Sequence, residues 1–232
     1  MRQKALYLGI ILLIVVVIVA IVVGGSESKE QCIDPTLGVP AARALTEAHV
    51  DGIVTSMQIM ALTDEVKSAD WDTISPLLAE FEDGAIPLVA WFVLPDGSYY
   101  TVDAGLASGN LSDREYFPVV MGGEVVIGDL VVSKSTGKES AVVTVPVKDG
   151  NDVIGALGAS IYLDDLSQLI VDDLQLSSDM VFYAINGDDV IALHSDTEMI
   201  MQNASEIDEL PCLISYSSSL LDWTFAIGYE CQ

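Results

Sequence analysis

The chain has 232 residues, of which 35 are acidic and 9 are basic, and its formal net charge is -26. This balance excludes nucleic acid as a partner, because phosphate binding needs clusters of Lys and Arg. It also argues against docking onto anionic lipid, and we interpret the acidity as a solvated surface.

Residues 5–23 (ALYLGIILLIVVVIVAIVV) contain no charged side chain and are long enough for a membrane-spanning helix, which needs about 20 apolar residues. Arg2 and Lys4 precede this segment, so the positive-inside rule predicts that residues 1–4 form a cytoplasmic tail. A cleaved secretory signal is the alternative, but the apolar run is longer than a typical signal core. We therefore predict a single-pass protein of the cell membrane, with an extracytoplasmic main domain.

Apolar residues recur at three- and four-residue steps after the anchor, which predicts one long helix over residues 34–83. Pro35 and Pro40 suit a helix start, and Pro76 is expected to break or kink the helix. β-rich segments around a Pro-Asp-Gly turn follow, then a short helical piece, three hairpin-linked strands and a helix. A shorter second round of strands ends the chain. Hairpin-linked strands with helices to one side predict an α+β fold.

Three cysteines, Cys32, Cys212 and Cys231, lie on the predicted outer side of the membrane, where disulfides are permitted. The segment CLISYSSSLLDWTFAIGYEC predicts two strands around a central turn, and its two cysteines are equidistant from that turn. We therefore predict a disulfide between Cys212 and Cys231, with a Cys32–Cys231 pair as the alternative. The chain lacks a C-x-x-C motif and has only two histidines, so we expect no metal site.

Four segments in order carry a family resemblance: VLPDGSYY, DREYF, the long run from VVSKSTGKES to DDLSQLI, and YAINGDDVIALHSD. Together they resemble the extracellular double Cache sensor domains, which are PAS-like modules of chemoreceptors, histidine kinases and diguanylate cyclases. The resemblance covers residues 34–230. It implies two tandem antiparallel-sheet modules, a membrane-distal one at 84–175 and a reduced membrane-proximal one at 176–232.

The resemblance also implies a ligand site in the distal module. In relatives that bind amino acids, an arginine in an R-x-W-Y element takes the ligand carboxylate, and acids on neighbouring strands take the ammonium. Arg114, Tyr116 and Phe117 fall on the arginine and aromatic positions. The acid positions fall on Ser133 and Ser160, which are neutral, so a carboxylate ligand is better matched than an α-amino acid.

Other side chains complete the predicted site. A guanidinium–carboxylate pair needs aromatic and apolar walls to supply the rest of the binding energy. Because side chains alternate along a strand, only one of Tyr99 and Tyr100 can point inward. Two acids are the candidates to replace the missing carboxylates. The predicted ligand-binding set is Arg114, Tyr116, Trp91, Tyr100, Asp103, Asp129, Ser133 and Ser160. The alternative for Arg114 is a surface ion pair with Asp113, Glu115 or Asp129.

The sequence shows no G-x-S-x-G elbow and no glycine-rich phosphate loop, so we expect neither an enzyme nor a cofactor. We predict a membrane-anchored extracytoplasmic sensor whose distal module holds a small carboxylate or a related metabolite. No cytoplasmic output domain is apparent, and we therefore expect signalling through a partner protein or a homodimer. The alternative is a non-sensory protein of the cell surface or envelope with a degenerate Cache fold.

Overall fold

The computed structural model describes residues 34–177, 179–208 and 212–229, all within one compact unit. The predicted cytoplasmic tail and membrane-spanning helix, residues 1–4 and 5–23, lie outside the described residues. Within the described ranges, no helix combines the length and the apolar composition that a membrane crossing requires.

The region predicted as one helix consists of three: α1 (Pro35–Met60), α2 (Asp64–Lys67) and α3 (Trp71–Gly84). The breaks occur where side chains cap the next helix. Thr63 accepts a hydrogen bond from the backbone N–H of Val66, and Asp70 accepts one from Asp72. Such caps satisfy amide groups that a helix start leaves unpaired, and here they compete with continuation of the preceding helix. The break expected at Pro76 is not observed, because this residue lies inside α3.

The distal module is a six-stranded antiparallel sheet with the order β3-β2-β1-β6-β5-β4. A short helix, α4, lies between β3 and β4 in the chain, and α5 follows β6. The elements are β1 (Leu88–Val93), β2 (Ser98–Thr101), β3 (Gly105–Asn110), α4 (Tyr116–Met121), β4 (Val126–Val132), β5 (Glu139–Asp149), β6 (Asp152–Tyr162) and α5 (Leu163–Leu174).

The second module is a four-stranded antiparallel sheet with the order β8-β7-β10-β9. Two short 3-10 turns lie between β8 and β9. The elements are β7 (Met180–Ile185), β8 (Ile191–His194), the turns Thr197–Met199 and Ala204–Glu206, β9 (Cys212–Ser217) and β10 (Thr224–Tyr229). Two antiparallel sheets in tandem, the second one smaller, confirm the predicted α+β fold.

The distal sheet separates two hydrophobic cores. Successive strand residues point to opposite faces. Phe92 therefore joins a large core with the helices, whereas Trp91 and Val93 join a smaller core beneath α4. The large core also contains Phe182 and Trp223 from the second module, so the two sheets share it. The smaller core belongs to the distal module and contains Trp91 and Tyr116 of the predicted ligand site.

The C-terminal hairpin pairs Cys212 with Tyr229, two residues short of the predicted partner Cys231. Its register is set by the loop, where the backbone N–H of Ser218 donates to the carbonyl of Trp223 at 2.7 Å. Cys212 is disulfide-bonded. Cys231 lies outside the described residues, and the pairing of these two cysteines stays a prediction.

We expect Gly158→Ala to destabilise the distal module. A Cβ at this position would lie 2.1 Å from Cζ2 of Trp91, the residue opposite it on β1. Overpacking of this kind costs about 1–3 kcal/mol, and more where the neighbour cannot move. Denaturant unfolding measures the change in the free energy of unfolding.

The matched control is Gly52→Ala in α1, where no heavy atom lies within 4 Å of the added Cβ. Replacing a helical glycine by alanine at an open position stabilises by up to about 1 kcal/mol. Equal stabilities for Gly158→Ala and the parent chain would contradict the position of the Trp91 ring.

Candidate functional site

A small cavity of about 10 Å³ lies on the α4 side of the distal sheet. This volume is about that of a single water molecule, so the surrounding side chains are closed on one another. The lining combines aromatic rings, hydroxyl groups and two basic side chains, and it consists of Trp91, Tyr99, Leu111, Arg114, Tyr116, Val131, Ser133, Lys134, Ser135 and Ser160.

Arg114 lies in the turn that precedes α4 and is half-buried. Its Nη2 donates to the carbonyl oxygen of Val132 at 2.6 Å, whereas its Nε is buried without a hydrogen-bond partner. The alternative ion pairs with Asp113, Glu115 and Asp129 are absent, since Arg114 forms no salt bridge within the described part of the chain. An unpaired guanidinium is therefore presented to the cavity.

Lys134 is a second basic residue in the lining, and the sequence reasoning did not include it. Its Nζ donates to the carbonyl of Asn110 at 2.7 Å and to the carboxylate of Asp113 at 2.5 Å. The hydrogen bond from Lys134 is the largest cause of the lowered pKa of Asp113. The loop after β4 is thus tied across the cavity to the loop after β3. The only sequence signal was a lysine directly after the predicted site residue Ser133.

Aromatic rings form the inner wall. The indole Nε1 of Trp91 donates to the hydroxyl of Ser160 at 3.2 Å, and its ring stacks on Tyr116 with centroids 6.1 Å apart. Burial is the largest cause of the raised pKa of Tyr116 and also raises the pKa of Tyr99. Tyr99 is the inward-pointing member of its pair and is only 2% exposed. Both tyrosines therefore face the cavity as neutral hydroxyl groups.

Hydroxyl groups occupy the positions where the family resemblance placed acids. Ser133 and Ser160 are buried, and the hydroxyl of Ser133 lies 3.2 Å from that of Ser135. Of the described residues that line the cavity, none carries a carboxylate. The cavity is therefore positively charged and rich in neutral hydrogen-bonding groups.

Three residues of the predicted set lie outside this cavity. Tyr100 points to the other side of β2 and stacks on Trp71, with ring centroids 5.2 Å apart. Asp103 lies near Glu82, where its charge contributes to the raised pKa of that carboxyl, although burial contributes more. Asp129 lines a separate cleft that also contacts the second module. The structure thus brings together Arg114 with Tyr116, Trp91, Ser133 and Ser160.

In sequence, the chain is distantly similar to a known chemotaxis protein. No protein-family profile matches the chain. The methyl-accepting chemotaxis protein PscA of Pseudomonas syringae pv. tomato is 23% identical over 121 residues, which cover 51% of this chain and 19% of PscA. The chain thus spans only about a fifth of the length of that relative.

Solved structures are more similar in three dimensions than in sequence. The ligand-binding domain of the Pseudomonas aeruginosa amino acid chemoreceptor PctB, in complex with L-Gln, has a TM-score of 0.65 at 15% identity, with 84% of this chain and 89% of that one covered. The ligand-binding domain of the Campylobacter jejuni chemoreceptor Tlp3, in complex with L-valine, has a TM-score of 0.61 at 11% identity, with 84% of this chain and 91% of that one covered. The sensor domain of the Vibrio cholerae histidine kinase DctB has a TM-score of 0.62 at 10% identity, with 83% of this chain and 96% of that one covered.

The chain has the fold of chemoreceptor and sensor-kinase ligand-binding domains. This confirms the double Cache-like resemblance at the level of the fold. The similarity extends over both modules, because each comparison covers more than four-fifths of the chain.

We expect Asp129→Asn to raise the melting temperature at about pH 7. Burial is the largest cause of the raised pKa of Asp129, and the charge of Glu115 adds to it. A carboxyl whose pKa is raised by folding destabilises the fold when it is ionised. That penalty is present above the folded-state pKa and absent below the ordinary value of about 3.9. The gain should therefore shrink as the pH falls through this window.

Melting curves between about pH 3 and pH 8 test this expectation. Asp173→Asn is the control, because that carboxylate is exposed on α5 and should leave the curve unchanged. A loss of stability in Asp129→Asn at neutral pH would show instead that the ionised carboxylate is well paired.

Proposed function

We propose that the chain is a sensor domain that binds a small carboxylate in the cavity around Arg114. The observation that carries this proposal is a half-buried guanidinium with no acidic partner, facing a cavity whose lining has no carboxylate. A guanidinium can hold a carboxylate through two parallel hydrogen bonds, and the exclusion of water strengthens them. The aromatic rings of Trp91 and Tyr116 supply the apolar wall that such a ligand needs.

The charges of the lining narrow the ligand class. PctB and Tlp3 were solved with amino acids. In this chain Ser133 and Ser160 offer an ammonium group only neutral oxygens, whereas Lys134 adds a second positive charge. We therefore propose a ligand without an ammonium group, and a dicarboxylate in particular, because it would engage both basic side chains.

Ligand entry requires the cavity to open, since small-molecule pockets usually hold about 300–1,000 Å³. In this proposal, the contacts of Lys134 with Asp113 and Asn110 keep the entrance closed. A ligand carboxylate would replace Asp113 as the partner of Lys134 and release the loop after β4. Ligand then favours the expanded state by its differential affinity for the two states.

The route for a signal follows from packing. Helix α1 contacts β5 of the distal sheet and both β9 and β10 of the second module. A rearrangement of the distal module therefore changes the surface on which α1 packs. We propose that residues 5–23 anchor the chain in the cell membrane, with residues 1–4 in the cytoplasm and the described residues outside it. A partner protein or a second copy would carry the signal further.

The first test is a thermal-shift screen of the full chain and of Arg114→Ala with mono- and dicarboxylates. A ligand at 100 times its dissociation constant stabilises the folded state by about 2.7 kcal/mol. We expect this shift in the parent chain and its loss in Arg114→Ala, because the guanidinium is the main anchor.

Arg43→Ala is the matched control. Arg43 also donates through an Nη atom to a backbone carbonyl, that of Ser217, and its buried Nε also has no hydrogen-bond partner, although it lies 3.9 Å from a carboxylate oxygen of Glu47. Arg43→Ala should retain the increase in melting temperature that the ligand causes. A shift that persists in Arg114→Ala would contradict the proposed site. No shift with any carboxylate, together with a destabilised Arg114→Ala, would favour the non-sensory surface protein.

A second test concerns Lys134→Met. Hydrogen bonds to charged groups contribute about 1.5–3 kcal/mol, so loss of this lysine should weaken dicarboxylate binding by about tenfold or more. A monocarboxylate held by Arg114 should lose much less. Titration calorimetry gives both dissociation constants.

Lys148→Met serves as the control for this test, because Lys148 also donates to a backbone carbonyl, that of Gly123, but lies outside the cavity lining. Equal losses for mono- and dicarboxylates in Lys134→Met would contradict a second anchoring role for Lys134.

A further inference from the structure

A second and larger cleft, of about 650 Å³, lies between the distal sheet and the second module. Its volume falls in the range of small-molecule sites. The distal wall comes from the turn before α4 and from β4, and the opposite wall comes from the β7–β8 and β9–β10 loops. The residues that matter here are Glu115, Gly128, Asp129, Asp188, Asp222 and Trp223.

Negative charge dominates this cleft. Of the described residues that line it, Arg114 is the only basic one, and its Nη2 is bonded to the carbonyl of Val132. Asp129 is half-buried and forms no salt bridge with any described residue. Its raised pKa is caused first by burial and then by Glu115, so it has a like charge nearby. A cation in the cleft would offset both the burial of the Asp129 carboxylate and its repulsion from Glu115.

Trp223 provides an independent observation. The side chain is 1% exposed, yet its Nε1–H makes no hydrogen bond with any described residue. The indole N–H group of a largely buried tryptophan usually has a hydrogen-bond partner. Gly128 lies at a β-bulge with φ +87°, and a Cβ there would be 3.6 Å from this Nε1. Because Gly128 and Trp223 both line the cleft, the absence of a side chain at Gly128 leaves space beside this donor for an acceptor atom of a ligand.

We propose that this cleft binds a small organic cation that also carries a hydroxyl or carbonyl oxygen. The ammonium group would lie between Asp129 and Glu115, and the oxygen would accept from the Nε1–H of Trp223. Leu221 and Ile127, which also line the cleft, would contact the carbon atoms of the ligand. This site differs from the carboxylate cavity in charge and in position.

The location of the cleft gives a bound cation a structural effect. Asp129 and Glu115 belong to the distal module, whereas Trp223 belongs to the second. A ligand that contacts all three connects the two modules and stabilises their packing, because it binds the folded state alone. β-Bulges such as the one at Gly128 often occur beside binding sites, where they redirect the strand.

Calorimetric titration of the full chain with ethanolamine and choline tests the proposal, with ethylene glycol as the uncharged control. Asp129→Asn removes the central negative charge, Trp223→Phe removes the N–H donor, and Asp173→Asn removes an exposed acid outside the cleft. We expect binding of at least one of these two organic cations to the parent chain and to Asp173→Asn, about tenfold weaker binding to Asp129→Asn, and weaker binding to Trp223→Phe.

Titration in about 1 M salt separates this site from general attraction to an acidic surface, since the screening length is then about 3 Å. Organic-cation binding that disappears in salt and is equal in Asp129→Asn would overturn the proposal. So would the absence of organic-cation binding, or binding of calcium alone at the same acids. Asp129→Asn should be at least as stable as the parent chain, so the test holds even if Trp223→Phe fails to fold. Carboxylate binding should be unchanged in Asp129→Asn, which keeps the two sites distinguishable.

Discussion

The contact between Trp91 and Gly158 is the packing constraint on which the proposed ligand cavity depends. The indole ring occupies the space that a side chain on the opposite residue of β6 would fill. In this position its Nε1 reaches the hydroxyl of Ser160, and its face stacks on Tyr116. Tyr116 opens α4, directly after the turn that carries Arg114. Gly158 thus leaves the space that the aromatic wall occupies.

The large core explains how two small sheets behave as one unit. Buried residues of β5 and β6 belong to the same cluster as Phe182, Trp223 and Phe225 of the second module. Because protein interiors are close-packed, a shift in one sheet cannot occur without a response in the other. The smaller core behind Trp91 is separate and local. In the proposed mechanism, the cavity around Arg114 would open within the smaller core, and the shared large core would pass a shift of the distal sheet to the second module.

Charge is distributed unevenly over an acidic protein. The cavity collects two of the few basic side chains together with neutral hydroxyl groups, and the cleft between the modules collects acids around Asp129. Arg114 lines both spaces, so the two proposed sites share a wall. Opposite charges on the two sides of this wall would allow a carboxylate and an organic cation to bind without competing for the same contacts.

The sequence by itself determined the order of helices and hairpins and the tandem sheets, because turn residues and hydrophobic periodicity are local signals. The place of Arg114 and Tyr116 followed from the resemblance to the double Cache domains. The sequence did not determine where the first helix breaks, since the capping side chains of Thr63 and Asp70 compete with continuation of the helix. Only the tertiary structure decided that Tyr99 rather than its neighbour faces the cavity, that Lys134 joins it, and that Asp129 faces the other cleft. The physical reason is that the face of a strand residue depends on register and bulges, which distant strands impose.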